Sequence, residues 1–464
     1  MFKPFSASLA LALVAPFGAL ADTQSETQSA IHALRKEIDA MRAAYEARLQ
    51  SLEQRLKAAE AAAPPVASMT TAAPAAIPST SAAAAPIVAT PGRGANAFNP
   101  GISLILSGIY TNLSRDPANY RIGGFIPGGE FGPGKRGLSL AESELGIYAN
   151  IDPYFYGGLN FAVHPDDSVS AEEAFIQTIG LGHGVTVKAG RFFSGIGYLN
   201  EQHAHTWDFV DNPLAYQAFL GTQLGDDGVQ VKWLLPTPFY AEAGVEIGRG
   251  RNFPGSDRNK NGAGSGTAFV HLGGDVGVSH SWRAGLSHVR TSSRDRGYSD
   301  TLADGSTVDN SFNGTSRLWL ADFVWKWAPE GNPVQRNFKL QGEYLWRKER
   351  GSLLTSASGV EDEYRSRQSG WYLQGVYQFM PYWRVGLRTD RLDSGRVDYA
   401  SNNAVLPHTA FNPSRLSLMF DYSPSEFSRI RLQFARDKAQ EGITDNQLFL
   451  QYQMSLGAHG AHTF

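Results

Sequence analysis

Two pairs of histidines, His203 with His205 and His459 with His462, are the residues of this chain whose type and spacing most directly suggest chemistry. Positions 203 and 205 fall on one side of an extended segment, and imidazole nitrogen is a common zinc ligand. The four are therefore candidate metal ligands, with zinc the single cofactor the sequence suggests. There is no Cys and no helix-spaced HExxH motif, so the competing reading is of polar histidines seated near a membrane-water boundary. Catalytic signatures are missing. Gly248-Arg249-Gly250-Arg251 lacks the strand-glycine-helix context of a dinucleotide site, and there is no GxSxG elbow, so the chain is not expected to be an enzyme.

A second set of chemically competent residues is basic, and its meaning depends on strand parity. In 414–422, Leu416, Leu418, Phe420 and Tyr422 share one face and send Arg415 to the other. Ile430, Leu432 and Phe434 do the same for Arg429 and Arg431, and Trp383, Val385 and Leu387 for Arg384 and Arg388. Phe338, Leu340, Tyr344 and Trp346 place Lys339 and Arg347 opposite them, and Lys188 and Lys232 fall on the same polar face of their own strands. If the apolar faces meet lipid, these nine residues line a lumen, and a basic lining favours anions. Glu142, Glu144, Glu343, Asp390, Asp421 and one of Glu172 and Glu173 share that face and offset part of the excess.

The elements that must position these residues are alternating strands. They are expected near 101–112, 138–151, 155–164, 172–179, 185–192, 228–235, 239–248, 267–275, 281–290, 316–327, 337–348, 369–379, 382–391, 414–422, 428–437 and 446–464. Short and long connections alternate between them. Sixteen such strands predict an all-β fold, an antiparallel transmembrane β-barrel wide enough to keep an aqueous lumen. The mean hydropathy of -0.27 fits strands with one polar face. The longest connection, 193–227, is rich in aromatics (Phe193, Tyr198, Trp207, Phe209, Tyr216 and Phe219) and is expected to fold inward and narrow the barrel.

Ahead of the barrel, which is expected over 98–464, residues 1–21 have the layout of a secretory signal peptide: Lys3, an apolar run from Leu9 to Val14, and Ala19-Leu20-Ala21. Ile31, Leu34, Ile38, Met41 and Tyr45, continued by Leu49, Leu52 and Leu56, predict a short α-helical coiled coil within 22–62, and 63–97 is an Ala/Pro-rich linker. The formal net charge of -3 gives no basis for nucleic-acid binding.

At the other end, Leu448, Leu450, Tyr452, Met454 and Leu456 alternate with polar residues and share parity with the final Phe464, Phe449 being the exception. An alternating strand ending on Phe resembles the C-terminal sorting signal that the assembly machinery of outer-membrane barrels reads. The whole arrangement, with stretches such as Gly190-Arg191-Phe192-Phe193-Ser194-Gly195-Ile196-Gly197, resembles the phosphate-selective porin O and P family and related general porins. That resemblance implies a bacterial outer-membrane porin for passive diffusion of small hydrophilic solutes, with a phosphate-like anion preference. It further implies a homotrimer in contact with the lipid bilayer and lipopolysaccharide, with the coiled coil in the periplasm. The alternatives are a tether to the cell wall with incidental conductance and a metal-linked uptake channel using the histidine pairs.

Overall fold

The computed structural model describes residues 100–126, 128, 131–301, 306–406 and 410–457. The expected signal peptide, coiled coil and linker, together with His459, His462 and Phe464, lie outside the described residues.

The wall is built from β1 (Gly101–Leu113), β2 (Gly137–Leu140), β3 (Ser143–Asn150), β4 (Phe155–Val163), β5 (Val169–Thr178), β6 (Val185–Phe193), β7 (Gly225–Leu234), β8 (Tyr240–Gly248), β9 (Ser265–Val276), β10 (His280–Thr301), β11 (Thr307–Trp327), β12 (Asn337–Thr355), β13 (Glu361–Met380), β14 (Trp383–Asp398), β15 (Ser414–Ser425), β16 (Ser428–Lys438) and β17 (Asp445–Gly457). Neighbours pair antiparallel, and β1 pairs with β17, so the sheet closes without an edge. Both β2 and β3 pair with β1. The register moves from Gly108↔Leu140 to Ile105↔Glu144, one extra residue, which marks a bulge at Ala141 and Glu142 inside a single wall position. The barrel therefore has sixteen positions.

Burial along the strands is inverted relative to a water-soluble protein. In β15, Arg415, Ser417 and Asp421 are buried while Leu416, Leu418 and Phe420 are exposed. The same holds for Arg431 and Gln433 against Ile430 and Phe434 in β16, and for Gln451 and Gln453 against Leu450 and Tyr452 in β17. Phe449, the exception in its strand, is buried with the polar set. Apolar side chains turned outward around a closed barrel suit a hydrocarbon solvent, since in water so much exposed apolar surface would drive association.

Strand length divides the wall. β3 to β9 run 8 to 12 residues, close to the roughly 9–11 that cross a bilayer. β10 to β13 run 19 to 22. Much of 291–315 and 349–368, expected as loops, thus continues as strand. Beyond the lipid, Asp309, Glu361, Glu363 and Arg365 are exposed on the outer face, so the apolar-out parity disappears there even though the ladder persists. Val308, Phe312, Leu353, Tyr364 and Leu406 form a second, smaller core in this extension.

Candidate functional site

The segment between β6 and β7, residues 194–224, enters the barrel and is held from several sides. Ser194 Oγ donates to Glu246 (2.5 Å), the Gly195 amide donates to the same carboxylate (2.8 Å) and the Leu199 amide to Glu343 (3.0 Å). Gly197 has φ of 62°, and a Cβ there would collide with the Glu343 carboxylate, so this approach needs glycine. A single short helix follows, α1 (Leu214–Leu220), every residue of which is buried; it starts after Pro213 and ends at Gly221 in the left-handed region. Leu214, Tyr216, Phe219 and Leu220 pack against Leu318, Leu320, Leu345 and Leu392 of the wall. Part of the lumen is therefore an apolar core. Tyr216 and Tyr372 both donate to Glu343 within that core (2.8 and 2.7 Å).

On the β14–β16 side the same segment is held by charge. Asp211 lies between Arg388 (2.8 Å) and Arg415 (2.7 Å), and Asp208 between Lys339 (2.6 Å) and Arg384 (3.2 Å). The guanidinium groups also donate to loop carbonyls: Arg429 to His205 (2.7 Å), Arg431 to Trp207 (2.8 Å) and Arg415 to Asn212 (2.6 Å). Asp390 and Asp421 on the wall complete the network, Asp421 pairing with both Arg384 and Arg431. Burial alone would raise the Asp211 carboxyl, but Arg388 and Arg415 hold it below the usual carboxylate range. For Asp208, likewise buried, Lys339 and Arg384 do the same.

On the β3–β5 side the contacts are imidazole to carboxylate. Between Asn160 and Phe161 the register of β4 against β5 skips Glu172, a bulge that brings both Glu172 and Glu173 to His203 rather than one of them. His203 Nδ1 faces Glu172 Oε2 (3.1 Å) and Glu144 Oε2 (3.3 Å), and its Nε2 faces Glu173 Oε2 (3.0 Å). His205 Nδ1 lies 2.7 Å from Glu144 Oε1. Burial would lower the basicity of His203, yet Glu144, Glu172 and Glu173 raise it well above its ordinary value.

The nine basic residues read from strand parity take up the following places. Lys339, Arg347, Arg388, Arg415, Arg429 and Arg431 point inward but are buried beneath the infolded segment or its neighbours, and Arg384 is bound to Asp208. They do not form an open basic lining. Parity within strands could not register the carboxylates of Asp208 and Asp211, which arrive from the loop. Arg347 stacks on Phe219 (5.1 Å) and donates to Gln368 (3.1 Å). Lys232 pairs with Glu201 (2.7 Å), and Lys188 stands over the rings of Phe175 and Phe192. Burial alone would raise the Glu201 carboxyl, but Lys232 and Lys188 hold it down at about 2. Around them Tyr148, Tyr156, Tyr240, Glu242, Arg283 and Lys326 are half-buried on the strand halves next to the short turns.

Of the candidate metal ligands, His203 and His205 stack at 5.8 Å on the loop. Sequence reasoning did not join them to Glu144 and Glu172. The pairing of β3 with β4 and β5 supplies that juxtaposition, and the only trace of it in the sequence is the adjacent Glu172-Glu173 pair, which breaks alternation.

No family model matches the chain. Among solved structures it aligns with the in-vitro folded trimer form of OmpT of Vibrio cholerae (12% identity, 77% of this chain and 99% of that one, TM-score 0.47). It also aligns with an anion-selective porin from Comamonas acidovorans (12% identity, 77% and 99%, TM-score 0.46) and with the outer membrane channel DcaP of Acinetobacter baumannii (12% identity, 77% and 97%, TM-score 0.45). An uncharacterized protein of Aquifex aeolicus is 32% identical over 395 residues, covering 79% of this chain and 80% of the relative. The chain belongs to the same family as that Aquifex aeolicus protein.

Proposed function

We propose that the protein is an outer-membrane channel for passive diffusion of small hydrophilic solutes, with its throughput set by how the 194–224 segment is seated. The observation that carries this reading is the inversion of the wall, apolar outward and polar inward around a closed barrel of sixteen positions. A barrel of that size would hold a continuous aqueous lumen, and here the segment occupies much of it.

A tilt toward anions, phosphate-like solutes included, rests on Lys188 of the nine parity residues, joined by a residue that parity did not single out, rather than on the set as a whole. Around the clamp Lys339, Arg384, Arg388, Arg415 and Arg431 are paired with Asp208, Asp211, Asp390 and Asp421, which offset most of their charge. Lys188 and Arg283, half-buried near the short turns, supply charge that an entering anion meets. A homotrimer with the 22–62 segment as its periplasmic clasp, insertion by an assembly machinery that reads Phe464, and contact with lipopolysaccharide and the cell wall belong to the same reading.

Planar-bilayer recording of the purified protein tests it. Stepwise conductance with a reversal potential in a salt gradient displaced toward anions is expected. A folded, inserted barrel that passes no current would sink the diffusion reading and favour a tether, and a reversal potential at zero would remove the anion tilt.

A further inference from the structure

The imidazole side of the infolded segment has a feature that the arginine side lacks. Three buried or nearly buried carboxylates, Glu144, Glu172 and Glu173, converge on His203, and no Lys or Arg is in ion-pair contact with any of them among the described residues. The ring is oriented. Glu173 Oε2 sits 3.0 Å from Nε2, placed to accept an Nε2 proton, while Nδ1 faces Glu144 Oε2 and Glu172 Oε2. A carboxylate that takes the far N–H of an imidazole is the usual outer partner of a metal-bound histidine, fixing its tautomer and raising its basicity. Glu144 is held in turn, its other oxygen lying 2.7 Å from His205 Nδ1.

The spacings fit a cation. Bonds of about 2.0–2.1 Å to N and O in a tetrahedron place the ligand atoms about 3.3 Å apart. His203 Nδ1 lies 3.3 Å from Glu144 Oε2 and 3.1 Å from Glu172 Oε2, and the three ligand atoms all fall within 4.8 Å of one another. The Asn160 side-chain amide is 2.9 Å from that Glu144 oxygen and 3.0 Å from His203 Nδ1, beside the three ligand atoms, and its O and N are exchangeable by rotation. Three acceptors this close repel one another unless a proton or a metal lies between them. The bulge in β5 makes the set possible, because regular alternation would bring only one of Glu172 and Glu173 to the ring.

We propose that His203, Glu144 and Glu172, with Asn160 adjacent and Glu173 as the orienting partner, form a binding site for a first-row divalent cation of the zinc type. A mixed imidazole and carboxylate set suits such an ion better than calcium or magnesium, which take oxygen alone. The ion ties the infolded segment to β3, β4 and β5 and takes the place of the Nδ1 proton. Hard-ion carboxylate sites need more oxygens than converge here, and His459 and His462 are not required.

The full chain, folded in detergent and stripped with a chelator, is titrated with Zn2+ and with Co2+, and bound metal is measured after dialysis. One tight Zn2+ per chain is expected, and Co2+ should give the intense visible bands of a tetrahedral N/O site. Glu172→Gln and Glu173→Gln should each weaken Zn2+ about 10- to 100-fold, while the His459→Ala/His462→Ala double variant binds as the wild type does. Heat-modifiable migration confirms that each variant is folded. Wild-type protein that retains no stoichiometric Zn2+, Glu172→Gln that binds it unchanged, or loss of the ion in the His459/His462 variant would each overturn the site.

Discussion

The infolded segment is fastened to two stretches of the wall, separated by β17 and β1, by different chemistry. Toward β14–β16 it meets guanidinium groups whose charge never changes in the accessible pH range, arranged around Asp208 and Asp211 with several donors on each carboxylate. Toward β3–β5 it meets glutamates and imidazoles, contacts that would change if the proposed cation entered between them. The first attachment is fixed and the second conditional. A segment pinned at one side and conditionally tied at the other can change its occupancy of the lumen without leaving the barrel.

Breaking the fixed attachment should have the largest effect. Asp211→Asn removes the carboxylate between Arg388 and Arg415; a buried charge left wholly uncompensated costs about 3–5 kcal/mol, and the cost here should fall below that because Asp390 still faces both guanidinium groups. The segment should then be cleaved readily by added protease, and single-channel conductance should rise. Conductance and cleavage equal to wild type would mean that the clamp does not hold the segment.

The apolar floor should come next. Leu345 is buried among α1 and the inward leucines, and Leu345→Ala should destabilise the barrel by about 2–5 kcal/mol, as a cavity in an unyielding wall does. Thermal unfolding followed by strand circular dichroism reads this. A shift indistinguishable from that of an outward Leu387→Ala would show that the lumen has no effective core.

Acid sharpens the contrast between the two sides. Because Asp208 and Asp211 are held below the usual carboxylate range when folded, their contribution is fully present above the ordinary value near 4 and is lost as pH falls through the lowered folded values. The contribution of Asp208 and Asp211 should thus be constant between pH 5 and 8 and be lost only in stronger acid. Protease sensitivity of the segment recorded against pH checks this, and in Asp211→Asn the acid-dependent step should shrink. A step of unchanged size in that variant would assign the acid response elsewhere.

The sequence made the wall legible and left the interior largely hidden, for a physical reason. Lipid forces alternation, so Leu416, Leu418 and Phe420 announced one face and Arg415 the other. Where that solvent ends, as at Asp309 and Glu361, the signal vanishes and the pattern no longer distinguishes strand from loop. The clamp was half-visible: its arginines were placed by parity, but their partners Asp208 and Asp211 come from a segment with no periodicity. The inward Leu318, Leu320 and Leu392 break polar-in alternation only because α1 covers them. Glu144 and Glu172 meet His203 through strand order and one bulge, which no spacing along the chain encodes.

The smallest expected effect concerns selectivity, and it tests whether the clamp is electrically silent. If the arginines are neutralised by their carboxylates, the ion preference rests on basic groups away from the clamp. Lys188 is the clearest of these, its ammonium resting over Phe175 at 4.6 Å and Phe192 at 5.8 Å. Being half-buried at a wet wall, it acts through a field screened over about 8–10 Å at physiological salt. Lys188→Gln should therefore lower the anion-to-cation permeability ratio by less than about twofold, most visibly at low salt. Arg431→Gln should leave the open-channel ratio nearly unchanged while loosening the segment, since Arg431 shares Asp421 with Arg384 and holds the Trp207 carbonyl. Reversal potentials in a salt gradient compare the two variants directly. A larger selectivity change in Arg431→Gln than in Lys188→Gln would put the filter at the clamp itself, and the division between a fixed mechanical side and a separate electrical lining would fail.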